Sequence, residues 1–153
     1  MKRIKTLLLV LALAAAPAWA NLGEEDGEES SNPDWVEGKK AVEAQDWKRA
    51  VPLLARAAEA EPKNADIRNW LGFANRKLGN MDAAFAAYQE ALKLNPRHKH
   101  AHEYIGEAYL LTDNVAKAEQ HLAELQKLCT PIPCEEYKDL KRAVDEYKKS
   151  NKK

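Results

Sequence analysis

Between residues 65 and 96 the apolar and small residues fall at helical spacing in two runs: Leu71, Gly72 and Ala74, then Ala84, Tyr88, Ala91 and Leu92. Gly79 and Asn80 lie between the runs as a turn, and Pro96 closes the second. The pattern predicts a helical hairpin. No stretch of the chain sustains the period-two alternation of a half-buried strand, and Ala, Leu, Lys and Glu dominate throughout, so the expected class is all-α. Asn64 and Asp66 precede the first helix, and Asp82 sits in the first turn of the second, where an acid complements the helix dipole.

The hairpin repeats with a period of 34 residues. Moved back by one period, the template meets Gly38, Ala50, Leu54, Ala57 and Pro62; moved forward, it meets Ile105, Gly106, Ala108, Tyr109, Ala118 and Leu122. Three units follow, about 31–64, 65–98 and 99–130, with a final helix over about 134–149, "CEEYKDLKRAVDEYKK", as a solvated cap. The first unit is degenerate, with Glu37 and Ala41 where leucine and an aromatic are usual. The third has Asp113 at the turn glycine and Thr130 at the closing proline. Gly72 and Gly106 are expected where the helices of a hairpin cross closely, opposite Ala84 and Ala118. Leu71 with Tyr88, and Ile105 with Leu122, are expected to fill the space around each crossing.

These residues resemble the tetratricopeptide repeat family, and the resemblance implies a superhelix of three helix-turn-helix repeats plus a C-terminal capping helix, residues 35–150. "HEYIGEAYL" and "CEEYKDLKRAV" further resemble small exported bacterial members with a C-terminal cysteine pair, a group that implies no transferable activity. In the family, the first helices of successive repeats line a concave groove that holds a segment of another protein. The matching positions here are Trp35 and Lys39; Asp66, Asn69, Phe73, Arg76 and Lys77; and His100, Glu103, Glu107 and Leu110. Aromatic and arginine side chains among them are natural anchors. Phe73 is read as either exposed in the groove or packed on the first repeat, and Trp35 as either exposed or packed under the next repeat. Members that bind chaperones hold a C-terminal carboxylate with a clamp of lysines, asparagines and an arginine. Those positions here carry Trp35, Lys39, Trp70, His100 and Tyr104, so the clamp is absent and the implied partner is a protein segment of another kind.

Charge and the ends of the chain add a compartment. "MKRIKTLLLVLALAAAPAWA" has a basic start, an apolar run and the small-residue pattern Ala18-Trp19-Ala20, the layout of a signal peptide cleaved after Ala20. Its apolar run is shorter than the roughly 20 residues of a membrane span. The expected location is the periplasm. The whole chain carries 24 basic and 24 acidic residues; without the three bases of residues 1–20 the balance is 21 against 24, which gives nucleic acid no footing. Residues 21–34 hold six acids and almost nothing apolar, and read as an acidic disordered linker.

Chemistry has two candidates. Cys129 and Cys134 stand five apart, a spacing that in an unbroken helix separates them by about 7.5 Å along the axis. Pro131 and Pro133 forbid that helix, so the chain turns and can bring the sulfurs together. A structural disulfide in an oxidising compartment is the leading reading, worth roughly 2 kcal/mol for so short a loop; a redox-active pair and a metal site are the alternatives. His98, His100 and His102, with His121 in the other helix of the same unit, are the second candidate, as metal ligands. No nucleophile elbow, phosphate-binding glycine loop or H-E-x-x-H motif is present, so neither catalysis nor a cofactor is expected. The sequence thus predicts a non-catalytic periplasmic adaptor. A metal-handling or thiol-redox accessory protein of the envelope, or a subunit of an envelope complex, is the alternative.

Overall fold

A computed structural model describes residues 30–151; the expected signal peptide and residues 21–29 of the acidic linker lie outside them. Seven helices follow one another with short turns: α1 (Pro33–Glu43), α2 (Trp47–Ala60), α3 (Ala65–Lys77), α4 (Met81–Leu94), α5 (Lys99–Leu111), α6 (Val115–Leu128) and α7 (Glu135–Ser150). No strand occurs among the described residues. The first helix begins at Pro33 and so takes in the last two residues of the expected linker. Asn32 Oδ1 accepts from the backbone N–H groups of Asp34 and Trp35, and Pro33 occupies the first turn, where its missing N–H costs nothing.

The 34-residue period is written into the backbone as well as the side chains. Asp46, Asn80 and Asn114 stand at the N-caps of α2, α4 and α6. Just before them, Gln45, Gly79 and Asp113 all have positive φ, 57°, 80° and 57°. Only glycine adopts that conformation without strain. The aspartate that departs from the repeat pattern is secured from outside: Asp113 Oδ1 accepts from the Tyr147 hydroxyl of α7 at 3.0 Å.

Helices α1–α2, α3–α4 and α5–α6 pair as hairpins, and each second helix packs on the next first helix. The first helices also touch one another along the row, α1 with α3, α3 with α5 and α5 with α7, whereas α2, α4 and α6 do not. The stack therefore bows with α1, α3, α5 and α7 on its inner side.

The buried residues gather in three clusters, and the side chains that fill the crossings differ from those expected. The atoms nearest to a Cβ built on Gly72 belong to Tyr88, at 2.6 Å, and those nearest to one on Gly106 belong to Leu140 of α7, also at 2.6 Å. Leu71 packs into the first repeat's core with Trp35, Leu54 and Ile67, while Tyr88 joins Ala84, Ile105 and Ala108. Leu122 packs with the α7 core instead of with Ile105. Tyr88 spans the space over Gly72, and Leu54, one period earlier, does the same over Gly38, each from within its own hairpin; over Gly106 that place is taken by Leu140 of α7, and Leu122 lies against the α7 core.

Helix α7 buries Leu140 and Val144 among Leu110, Ala118, Leu125 and Cys129. Lys148 adds an ion pair to Glu119 at the far end. At the near end, the sulfurs of Cys129 and Cys134 are 1.99 Å apart, a disulfide distance, across a turn containing both prolines. Among the described residues no helix is long and apolar enough to cross a membrane.

Candidate functional site

The inner side of α3 and α5 carries a band of aromatic rings centred on Phe73. Its ring lies 5.7 Å from Trp47, 5.7 Å from Trp70 and 5.0 Å from Tyr104. Two cations flank it: the Arg76 guanidinium and the Lys77 ammonium are each 5.3 Å from the ring centre. Phe73 reaches this position because it follows Gly72, whose face is occupied by Tyr88 beneath, so the next residue is turned toward the inner surface and stays half-buried.

Arg76 joins the two helices. Its guanidinium also lies 5.6 Å from the Tyr104 ring, and Nη1 pairs with Glu107 Oε2 at 2.6 Å, with the arginine side chain only 8% exposed. A cation so enclosed between two rings and a carboxylate holds α3 to α5 and leaves little to offer a ligand. Burial, together with Glu103 and Glu107, pushes the Tyr104 phenol up to about 12, so it stays a neutral hydroxyl.

Three predicted groove residues are not on the surface. Trp35 is 5% exposed and Asn69 2%, and Glu103 is 8% exposed. All three occupy the same place in the period, and there the following first helix covers them: α3 residues Ile67, Trp70 and Leu71 share the Trp35 core, and α7 faces Glu103. Leu110 is likewise buried, in the α7 core. Lys39 lies over the buried Trp35 ring at 5.3 Å. His100 is exposed and reaches Glu136 of α7 at 3.6 Å. Of the predicted set, Phe73 and Glu107 stay half-buried and Lys77 and His100 exposed on α3 and α5, with Arg76 enclosed between the two helices.

The acids around Glu103 were only half visible in sequence. Glu103 is raised to about 8, first by burial and then by Glu107, Asp139 and Glu136. The last two come from α7. They stand three apart in "CEEYKDL", a spacing that puts both on one helix face, but nothing in the sequence says which helix that face meets.

The histidines disperse. His98 caps α5 by accepting from the Ala101 N–H, and its Nε2 lies 2.9 Å from Asp66, whose carboxyl it holds below the usual range. His102 Nε2 is 3.0 Å from the Pro96 carbonyl oxygen, which can only accept, so the neutral ring carries its proton there. Its Nδ1 then accepts from His121 Nδ1–H at 2.9 Å. Burial and the neighbouring His102 push His121 down to about 4. Three histidines thus serve three different partners, and among the described residues no group of three or more His, Cys, Asp or Glu side chains is placed to hold a metal ion.

The tetratricopeptide repeat model matches residues 36–94 and 77–131. The chain belongs to the tetratricopeptide repeat family. Solved structures agree with the repeat architecture: MamA of MSR-1 is 34% identical over 62% of this chain and 55% of its own, with a TM-score of 0.59. MamA of AMB-1 is 34% identical over 62% of this chain and 52% of its own, at 0.58. MamA from Desulfovibrio magneticus RS-1, 20% identical over 78% of this chain and 57% of its own at a TM-score of 0.58, shares the fold. The chain spans little more than half the length of these structures. No curated protein matches it. Tetratricopeptide repeats are protein-interaction modules, so a protein partner is the functional expectation the family carries.

Proposed function

We propose that this tetratricopeptide repeat protein is a non-catalytic adaptor of the periplasm, exported by a signal peptide cleaved after Ala20, which holds a segment of another protein against the inner face of α3 and α5. The observation that carries the reading is Phe73: a half-buried ring among Trp47, Trp70 and Tyr104, with Lys77 and Arg76 beside it. Such a surface offers apolar contact already held in place by its neighbours, so little side-chain freedom is lost on binding. The disulfide-distance pair and α7 keep the last repeat closed.

A photoreactive amino acid at position 73, with a second at the exposed Gln89 of α4 as control, tests this in cells. A discrete crosslinked partner from position 73 alone is expected. Crosslinks from position 89 alone would replace the groove adaptor with an envelope-complex subunit that binds through another face. That second reading has its own support in the outer side of α7, where Pro133, Tyr137, Lys141, Arg142 and Asp145 line a cavity of about 520 Å³.

A further inference from the structure

The first helices share one position that the stack closes each time. Trp35, Asn69 and Glu103 stand 34 residues apart, and all three are buried. Tyr137 of α7 is the fourth of the series, and among the described residues no helix follows α7 to cover it. Its ring stays half-buried, and with Pro133 and the side chains that follow at helical spacing it lines a cavity of about 520 Å³. This side of α7 turns away from Leu140 and Val144, the residues that hold the helix on the stack.

The charge of the face narrows what it can accept. Four bases line it, Lys138, Lys141, Arg142 and Lys149, against two acids, Asp145 and Glu146, and all six are exposed. Three of the bases rest on acids of the same helix: Lys138 on Glu135 at 2.7 Å, Lys141 on Asp145 at 2.5 Å and Arg142 on Asp139 at 2.7 Å. Exposed pairs of this kind contribute at most about 1 kcal/mol each, so an incoming acid can take their place.

The chain itself carries a matching segment. Residues 21–29, NLGEEDGEE, lie outside the described residues and hold five acids, no base and one large apolar residue, Leu22. They join the stack at Ser30, whose hydroxyl bonds Glu61 between α2 and α3, whereas α7 touches only α5 and α6. The segment therefore enters at the end of the stack remote from the α7 face. Nine residues reach at most about 32 Å. Three steps of about 10 Å between neighbouring first helices take up nearly all of that length, so a copy stacked end to end brings the segment to the face more readily than the same chain does.

We propose that the face of α7 around Tyr137 is the docking place for residues 21–29 of a second copy of this chain, with Leu22 against the tyrosine ring and the lysine stems and the acids paired with the bases around it. The two docking elements belong to opposite ends of the molecule. Each copy in contact therefore still offers one of them to the next, and association runs on as an open row. The proposal is independent of the adaptor reading, because it leaves the inner face of α3 and α5 clear.

Sedimentation of the full exported chain over a concentration series tests this. At about 50 mM salt the mean mass should rise with concentration without levelling at the dimer, and about 500 mM salt should weaken association roughly tenfold or more, since the pairs are exposed. Two variants each remove one half of the contact: deletion of residues 21–29, and Lys141→Glu combined with Arg142→Glu. Each alone should stay monomeric with an unchanged helical circular dichroism spectrum, and an equal mixture should form a one-to-one dimer and nothing larger. Neither variant alters the buried Leu140 or Val144; if the double variant fails to fold, Lys138→Gln combined with Lys149→Gln removes the same half. A wild-type chain that stays monomeric throughout, association that survives deletion of residues 21–29, or variants that remain apart when mixed would overturn the proposal. A carbodiimide crosslink joining residues 21–29 to Lys141 within one chain would overturn it as well, in favour of docking of the chain's own segment. Phe73→Ala should leave the association unchanged, so failure of the adaptor reading and failure of this proposal are read separately.

Discussion

The second and third repeats begin from the same template and end differently. In the second, Tyr88 fills the space over Gly72, the hairpin completes its own interior, and Phe73 is left half-exposed on the inner surface. In the third, Leu122 stands where the tyrosine was, and Leu140 of α7 fills the space over Gly106. Helix α7 therefore does more than shield the last repeat from water: it supplies part of that repeat's interior, and it brings Glu136 and Asp139 against Glu103. The space over the repeat's glycine is closed by the hairpin's own second helix in one case and by the final helix in the other.

The comparison breaks hardest at Leu140. Leu140→Ala should destabilise the protein by about 3 kcal/mol in denaturant unfolding, because a fully buried leucine is lost and a cavity is left over Gly106. Hydrogen exchange should show α7 and α5 opening while α3 stays protected. Added methyl groups sharpen the contrast from the other side. Gly72→Ala meets the face of an enclosed aromatic ring and should cost about 2 kcal/mol; Gly106→Ala meets the methyl ends of a leucine that can turn aside, and should cost about 1 kcal/mol.

The acid over α5 gives a third test, through pH. Glu103 is raised in the folded chain, so between about pH 4.5 and pH 8 the unfolded chain binds fewer protons and stability falls as pH rises. Glu103→Gln should therefore gain about 1 kcal/mol at pH 8, with allowance for solvent screening, and the gain should vanish near pH 4.5. Equal effects at both pH values would refute the assigned environment. The smallest effect belongs to the turns: Gln45→Gly removes a side chain from a left-handed position and should raise stability by about half a kcal/mol in the same unfolding measurement.

How much of this could be read in the sequence depends on distance along the chain. The period of 34, the helix starts and the turn positions are local features, set by caps, glycines and small residues, and Asp46, Asn80 and Asn114 show them in the structure. The burial of Trp35 was legible only as one of two readings and that of Asn69 and Glu103 not at all, because the helical wheel gives the direction of a side chain and not how close the following helix comes. The pairing of Gly106 with Leu140 was not legible either, because it joins α5 to a helix outside the repeat period. Phe73 lay between these cases: its position was predicted, but its ring neighbours Trp47 and Tyr104 come from two other helices.

The succession of contacts has a consequence for how the chain acquires its shape. Each helix touches only those within two steps of it in sequence, and α7 touches only α5 and α6. No part of the stack waits for a distant segment, so the entropy lost in closing each contact is small and assembly can proceed quickly. A chain emerging N-terminus first can set each hairpin on the last as it appears. The third hairpin takes Leu140 of α7 into its interior, so until that sixteen-residue helix has docked it stays more open to proteases.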